Sequence, residues 1–176
     1  MKDKTDCTHL RILTVGGQPH AVATLRTIFV MIGVNRIHSE TDSERALEML
    51  CDVNFDAVFC DESANAIAGV PFPLAARRAP GALNLLLPIF LVFGNVRWRQ
   101  IERARDYGVT DVLTRPLRAV TVMKKLRGAI AHPRPFIVAP DFFGPDRRWQ
   151  KRPNHCGSER RTRTPKKIKI VAPEME

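Results

Sequence analysis

Residues 11–132 alternate between short runs of strand character and stretches of helical periodicity, and this alternation limits the fold more than any other feature. Strands that alternate with helices form parallel sheets with helices on both faces. The sequence therefore predicts an α/β fold, a doubly wound five-stranded parallel sheet with flanking helices. The predicted strands are RILTV (11–15), VNRIHS (34–39), DAVFC (56–60), PIFLVF (88–93) and VTDVLT (109–114).

The helical stretches between these strands carry start and stop signals. Pro19 suits a first helical position, and Gly33 and Gly108 are placed to end helices. Thr41 and Glu44 have the spacing of a capping box. Three prolines between 61 and 88 limit that region to a short helix around 72–79. In the last helix, 117–131, the predicted inward residues are Val120, Met123, Leu126 and Ile130.

Four of the predicted strands end at chemically distinctive positions. The first is followed by Gly16 and Gly17, the third by Asp61, the fourth ends in Phe93, and the fifth is followed by Arg115. The carboxyl ends of parallel strands meet at one edge of a sheet, where α/β proteins bind ligands. We expect these positions to form one pocket.

The spacing of four residues resembles that of a known family. Asp61 follows the third strand, Gly69 lies eight positions later, Gly108 precedes the fifth strand, and Pro116 follows the basic residue that closes it. From Arg11 to about residue 131 the chain resembles the receiver domain of bacterial two-component response regulators, a CheY-like, flavodoxin-like fold. The resemblance implies a role in signal transduction and places Asp61 at the phosphoacceptor position.

Several positions depart from the receiver pattern. In the family the first strand ends in an acidic pair that holds Mg²⁺, whereas this chain has Gly16 and Gly17. The family's hydroxyl residue at the end of the fourth strand is Phe93, and its lysine is Arg115. The resemblance thus implies a degenerate pocket that has lost its Mg²⁺ site and binds no other cofactor. Phe93 is expected to fill the space that a phosphoryl group would need.

The charges around Asp61 lead to the same interpretation. One carboxylate facing one arginine is already balanced, so Asp61 is expected to pair with Arg115 without a metal. The resemblance to receivers implies that Glu62 points away from the pocket. Two interpretations of Asp61 stay open: a structural acid, or a working phosphoacceptor that receives a phosphoryl group from a histidine kinase.

An exposed tryptophan among arginines marks a candidate interface. Trp98, Arg99 and Arg103 fall on the stretch that corresponds to the family's partner and dimerisation face, and this composition is typical of interface hot spots. The expected partner is a signalling protein or a histidine kinase, and a homodimer is compatible with the same face. The alternative is that Trp98 packs on the end of its own helix.

The composition changes after residue 132. Residues 133–176 contain 11 Lys and Arg against 5 Asp and Glu, and seven of the 13 prolines. This segment is predicted to be a mostly disordered basic tail that binds polyanions weakly, and residues 1–10 are predicted to be an N-terminal arm. The FFGPDRR string (142–148) is expected to dock on the domain or on a partner. Arg148 and Arg152 match the arginine spacing of PilZ-type cyclic-dinucleotide sites, without the rest of that motif.

The function classes that remain are therefore few. The leading interpretation is a receiver-like signalling module that acts by protein contact and is not an enzyme; the alternatives are a phosphorelay regulator phosphorylated at Asp61 and polyanion binding by the tail. The four cysteines lack the spacing of a zinc site, so no metal is expected. No signal peptide or apolar span of about 20 residues is recognisable, which predicts a cytoplasmic protein.

Overall fold

The computed structural model describes residues 7–147 and 166–169 and contains the predicted five-stranded parallel sheet. All neighbouring strands are parallel, in the order β2-β1-β3-β4-β5. This order is that of the flavodoxin-like doubly wound sheet, which confirms the predicted fold. The strands are β1 (Arg11–Val15), β2 (Arg36–Glu40), β3 (Ala57–Asp61), β4 (Ile89–Phe93) and β5 (Asp111–Thr114).

Five helices cover the two faces of the sheet: α1 (Pro19–Met31), α2 (Ser43–Asp52), α3 (Phe72–Arg78), α4 (Trp98–Asp106) and α5 (Ala119–Ala131). Helices α1 and α5 pack on one face through Leu25, Phe29 and Leu126. Helices α2, α3 and α4 pack on the other through residues that include Leu50 and Phe72. Strands β3 and β4 are buried along their whole length, because helices cover both of their faces.

Two details of the helices differ from the prediction. Helix α2 is capped by Asp42, whose Oδ1 accepts a hydrogen bond from the Glu44 amide at 2.9 Å, so the predicted Thr41 cap is one residue too early. In α5 the buried positions are Val122 and Leu126, whereas Val120 is 71% exposed. Val122 and Leu126 lie one turn apart on the face toward the sheet, so Val120, two residues before Val122, lies on the opposite face of the helix.

The predicted tail contains a folded part. Strands β6 (Phe136–Ala139), β7 (Phe142–Pro145) and β8 (Lys166–Ile168) form a three-stranded antiparallel sheet in the order β7-β6-β8. The tail was predicted to be mostly disordered, and these three strands are an ordered part of it; the FFGPDRR string begins in β7. Arg148, Arg152 and the predicted polyanion-binding end of the tail lie largely outside the described residues.

The β6–β7 hairpin docks against the turn between α4 and β5. Gly108, in this turn, has a φ of +75°, and a Cβ there would lie 2.7 Å from the Phe143 carbonyl oxygen. Only glycine permits both the left-handed backbone and this close approach. Arg147 strengthens the contact, since it donates to the Arg105 carbonyl at 3.0 Å and pairs with Asp106 at 2.7 Å.

The residues before β1 also belong to the folded unit. Cys7 and Leu10 are 4% and 5% exposed and pack in the core beneath α1 and α5. The structural unit thus extends on both sides of the predicted domain, 11–132, and at least part of the predicted arm is core. Among the described residues, no helix combines the length and the apolar character that a membrane span needs.

Candidate functional site

The candidate site lies at the carboxyl ends of β1, β3, β4 and β5, at the edge where the sequence predicts it. Asp61 ends β3, and Arg115 follows β5 and contacts it directly. A Cβ on Gly16, after β1, would lie 3.0 Å from the Asp61 Cβ. Phe93, at the end of β4, lines the same cavity as Asp61. The fold therefore brings together all of the predicted pocket positions.

The carboxylate of Asp61 is buried and has two partners. The side chain is 2% exposed, and its Oδ2 accepts a hydrogen bond from the Arg115 guanidinium, as the charge balance predicts. Its Oδ1 accepts from the Ser63 amide at 3.0 Å, which closes a turn just after β3. Because a buried carboxylate needs a compensating charge, Arg115 serves as the counterion that a metal would otherwise provide.

Glu62 lies beside this pair, so the expectation that it points away from the pocket is wrong. Its Oε1 accepts a hydrogen bond from the Gly94 amide at 2.5 Å and lies 3.9 Å from the Arg115 Nη1. The side chain reaches over the β4 end because the Gly94 amide, in the loop after β4, offers it a donor. Arg115 therefore faces two carboxylates, and the site has one more negative charge than the sequence predicts.

The backbone of the loop after β3 fills the space beside Gly17, in the corner after β1 where receivers carry their acidic pair. The Gly17 amide donates to the Ser63 carbonyl at 3.1 Å. A Cβ on Gly17 would lie 2.2 Å from that oxygen, far inside contact distance. This corner consequently has no room for a side chain at residue 17 unless the loop after β3 moves.

We predict that Gly17→Ala lowers the free energy of unfolding by about 1–3 kcal/mol, because the added methyl forces the Ser63 carbonyl out of place. The control is Gly128→Ala in α5, where a Cβ meets nothing within 4 Å; helix propensity there favours alanine by about 0.5–1 kcal/mol. Chemical denaturation of both variants measures the difference. Equal stability of the two variants would show that the loop does not close this corner.

Phe93 forms part of the wall of a cavity between α3 and α4. The ring is 7% exposed and packs in the core cluster of α2, α3 and α4. The cavity has a volume of about 170 Å³, and its apolar walls include Phe72, Leu91 and Tyr107. The Asp61 carboxylate accepts its hydrogen bonds from Arg115 and from the Ser63 amide. That Phe93 itself excludes a phosphoryl group stays a prediction.

The remaining titratable groups near the site do not add a nucleophile or a metal cluster. Burial, with a smaller contribution from the charge of Asp61, raises the pKa of the Cys60 thiol well above its usual range, so the thiol stays protonated. Cys7 and Cys60 are buried and Cys51 is partly buried, and none of these three forms a disulfide. Within residues 7–147 and 166–169, no three His, Cys, Asp or Glu side chains cluster as metal ligands.

The predicted interface residues lie on the first turns of α4, next to the site. Trp98 is 59% exposed, and the guanidinium of Arg105 lies 5.8 Å from the centre of its ring. Trp98 is thus largely exposed, as a residue of an interface would be, and it also contacts Arg105 of its own helix, as the alternative interpretation has it. Arg99 and Arg103 are exposed on the same helix.

Sequence reasoning missed two residues that shape the site, Ser63 and Gln100. Ser63 contributes the amide that binds Asp61 and the carbonyl that binds Gly17. The only sequence signal for Ser63 was its position two residues after Asp61, because an aspartate side chain often accepts a hydrogen bond from the amide two residues later. Gln100 lines the cavity and caps α4, where its Oε1 accepts from the Arg97 amide at 2.8 Å.

No family model matches the sequence, and no curated protein sequence matches it significantly. Solved structures, by contrast, share its fold. The chain superimposes on a response regulator from Desulfuromonas acetoxidans with a TM-score of 0.61 at 16% identity, over 69% of this chain and 97% of that one. A CheY-like response regulator receiver domain protein from Methanospirillum hungatei gives a TM-score of 0.57 at 14% identity, over 67% and 90%.

A third similar structure carries a different description. A putative pilus assembly-related protein from Burkholderia pseudomallei superimposes with a TM-score of 0.58 at 21% identity, over 74% of this chain and 94% of that one. Identities this low establish architecture alone. Together with the sheet order and the convergence of Asp61 and Arg115 at one edge, they show that the chain has the fold of a CheY-like receiver domain.

Proposed function

We propose that this domain is a signal-transduction module of the receiver type that acts by protein contact, without Mg²⁺-dependent phosphorylation and without enzymatic activity. Its expected setting is the bacterial cytoplasm, and its expected partner is another signalling protein or a second copy of the chain. The fold supports the receiver part of this proposal. The state of the pocket supports the absence of Mg²⁺-dependent phosphorylation.

The observation that carries the proposal is the pairing of Asp61 with Arg115. Formation of an acyl phosphate requires a cation to neutralise the approaching phosphoryl oxygens. Here a guanidinium already occupies the buried carboxylate, and the Ser63 carbonyl is engaged by the Gly17 amide. Magnesium requires near-octahedral oxygen coordination, and one accessible carboxylate, Glu62, is a poor host for it. The buried carboxylate of Asp61 therefore already has a counterion in Arg115.

The alternative function is that of a phosphorelay regulator that accepts a phosphoryl group at Asp61. The position of Asp61 at the end of β3 favours it, because a carboxylate at this edge is where receivers accept the group. In that case Arg115 would have to release the carboxylate before the reaction. Its side chain is 35% exposed, so the guanidinium has solvent into which it can swing.

Treatment of the full chain with acetyl phosphate and Mg²⁺, followed by intact-mass spectrometry, separates the two functions. We expect no phosphoryl adduct on the wild type. We expect none on Arg115→Lys either, although it restores the family's lysine, because the corner at Gly17 stays closed. An adduct on the wild type that Asp61→Asn lacks would refute the proposal and establish the phosphorelay function.

A further inference from the structure

The first turns of α4 carry an unusual concentration of unpaired positive charge. Arg97, Arg99 and Arg103 are exposed, and within the described part of the chain no carboxylate forms an ion pair with them. Basic side chains elsewhere in the domain do have such partners: Lys125, on α5, pairs with Asp111 at 2.7 Å, for example. Arg97, Arg99 and Arg103 together are called the arginine cluster below.

The position of these charges on the helix is unfavourable for the domain on its own. Arg97 is the N-cap of α4 and Arg99 lies in its first turn, which contains no acidic residue. The amino end of a helix carries partial positive charge and favours anions, so two cations there oppose the helix dipole. A local conflict of this kind, without a compensating contact inside the fold, is expected at functional positions.

The arginine cluster adjoins the apolar cavity between α3 and α4. A surface groove of about 440 Å³ is lined by Arg97, Arg99 and Arg103 together with Asn95 and Gln100. Gln100 and Arg103 also line the cavity of about 170 Å³ whose walls include Phe72 and Tyr107. One continuous surface therefore combines a cationic groove with an apolar recess.

The dimensions of the recess indicate what it can hold. An apolar cavity of about 150 Å³ is large enough to bind benzene, so a recess of about 170 Å³ suits one phenyl ring. Bases of nucleic acid carry polar edges that an apolar recess would leave unpaired. A second copy of this chain, with a net charge of +10, does not complement the arginines.

We propose that this surface binds an acidic segment of a partner protein, with one phenylalanine of that segment inserted between α3 and α4 and its carboxylates on the arginine cluster. This proposal deepens the proposed function, because it gives the class of partner and the surface that a contact module would use. It places the contact on the α3 side of α4, where Phe72, Gln100 and Arg103 line the same recess.

Fluorescence anisotropy with a fluorescein-labelled acidic dodecapeptide that contains one central phenylalanine tests the proposal on the full chain, without Mg²⁺ or a phosphoryl donor. The triple variant Arg97→Gln, Arg99→Gln, Arg103→Gln should bind about tenfold more weakly. The control variant Arg45→Gln, Arg118→Gln, Lys124→Gln removes the same number of exposed charges elsewhere and should bind as the wild type does.

Two further comparisons test the recess. A peptide with alanine in place of the phenylalanine should bind at least about tenfold more weakly. Ala104→Leu fills the recess from α4, so the two peptides should bind this variant equally; circular dichroism checks that it is folded. If Ala104→Leu does not fold, the comparison of the phenylalanine and alanine peptides on the wild type still tests the recess.

The proposal is wrong if the wild type does not bind the phenylalanine peptide, if both peptides bind it equally, or if both triple variants weaken binding alike. It is also wrong if an oligothymidine probe binds through the arginine cluster and the peptide does not, which would identify a single-stranded nucleic-acid site. These outcomes are independent of phosphorylation. A chain that accepts a phosphoryl group would refute the proposed function and leave this surface in place.

Discussion

The Arg77→Ala variant is expected to lose about 3–5 kcal/mol of unfolding free energy. Arg77, at the end of α3, is 2% exposed. Its guanidinium donates to the carbonyls of Gly108 at 3.0 Å and of Leu85 and Leu87 at 2.7 Å each. Burial lowers the pKa of the guanidinium to about 9, so it is still charged at neutral pH.

The reason for the expected loss is that truncation leaves three carbonyls without their donor and empties the space around them. In the described residues no carboxylate pairs with Arg77. Its charge is stabilised by these carbonyls and by the ring of Phe136, whose centre lies 4.9 Å from the guanidinium carbon. Urea denaturation measures the loss. The control is Arg78→Ala, the exposed neighbour on the same helix, which should change stability by less than about 0.5 kcal/mol. Similar losses in the two variants would contradict the structural role of Arg77.

Phe136→Ala is expected to cost about 3–5 kcal/mol, as removal of a fully buried phenylalanine usually does. Phe136 begins β6, is 2% exposed, and packs against Arg77 and against Phe143 at 5.4 Å between ring centres. Since the residue lies in the segment predicted to be disordered, its effect on stability measures whether the hairpin is part of the folded domain.

The matched control for this prediction is Phe142→Ala on the neighbouring strand. Phe142 is partly exposed and lies beneath the guanidinium of Arg147 at 4.5 Å, so its removal should cost less than about 1.5 kcal/mol. Thermal and urea melts of the two variants provide the comparison. A Phe136→Ala variant as stable as the wild type would show that the hairpin does not pack on the core.

The sheet could be predicted from the sequence because each of its strands carries a local signal. The continuous apolar run 88–93 is typical of an interior strand buried on both faces of a parallel sheet, and β4 lies between β3 and β5. Asp61 and Arg115 could be paired in advance because strand order alone brings their positions to one edge. These inferences depend on periodicity and topology, both of which are visible in a single sequence.

The rest depended on contacts between segments that no local pattern encodes. The hairpin was missed because proline and charge dominate the composition after residue 132, whereas its stability comes from the docking of Phe136 and Gly144 on Arg77 and Gly108. Glu62 was misplaced because its direction depends on the Gly94 amide in another loop. The closure of the Gly17 corner depends on the path of the loop after β3, which sequence spacing does not define.

The central claim is that this edge of the sheet does not bind Mg²⁺. Arg115 already pairs with the Asp61 carboxylate, and the Gly17 amide already binds the Ser63 carbonyl. The Arg115→Gln variant serves as the comparison for a Mg²⁺ titration. It leaves Asp61 and Glu62 without their cation, so this variant should gain affinity for Mg²⁺ before the wild type does. The most direct test is a Mg²⁺ titration of the wild type, followed by the amide NMR shifts of Gly17 and Asp61. We predict no saturable shift of either amide in the millimolar range; saturable shifts of both would contradict the account.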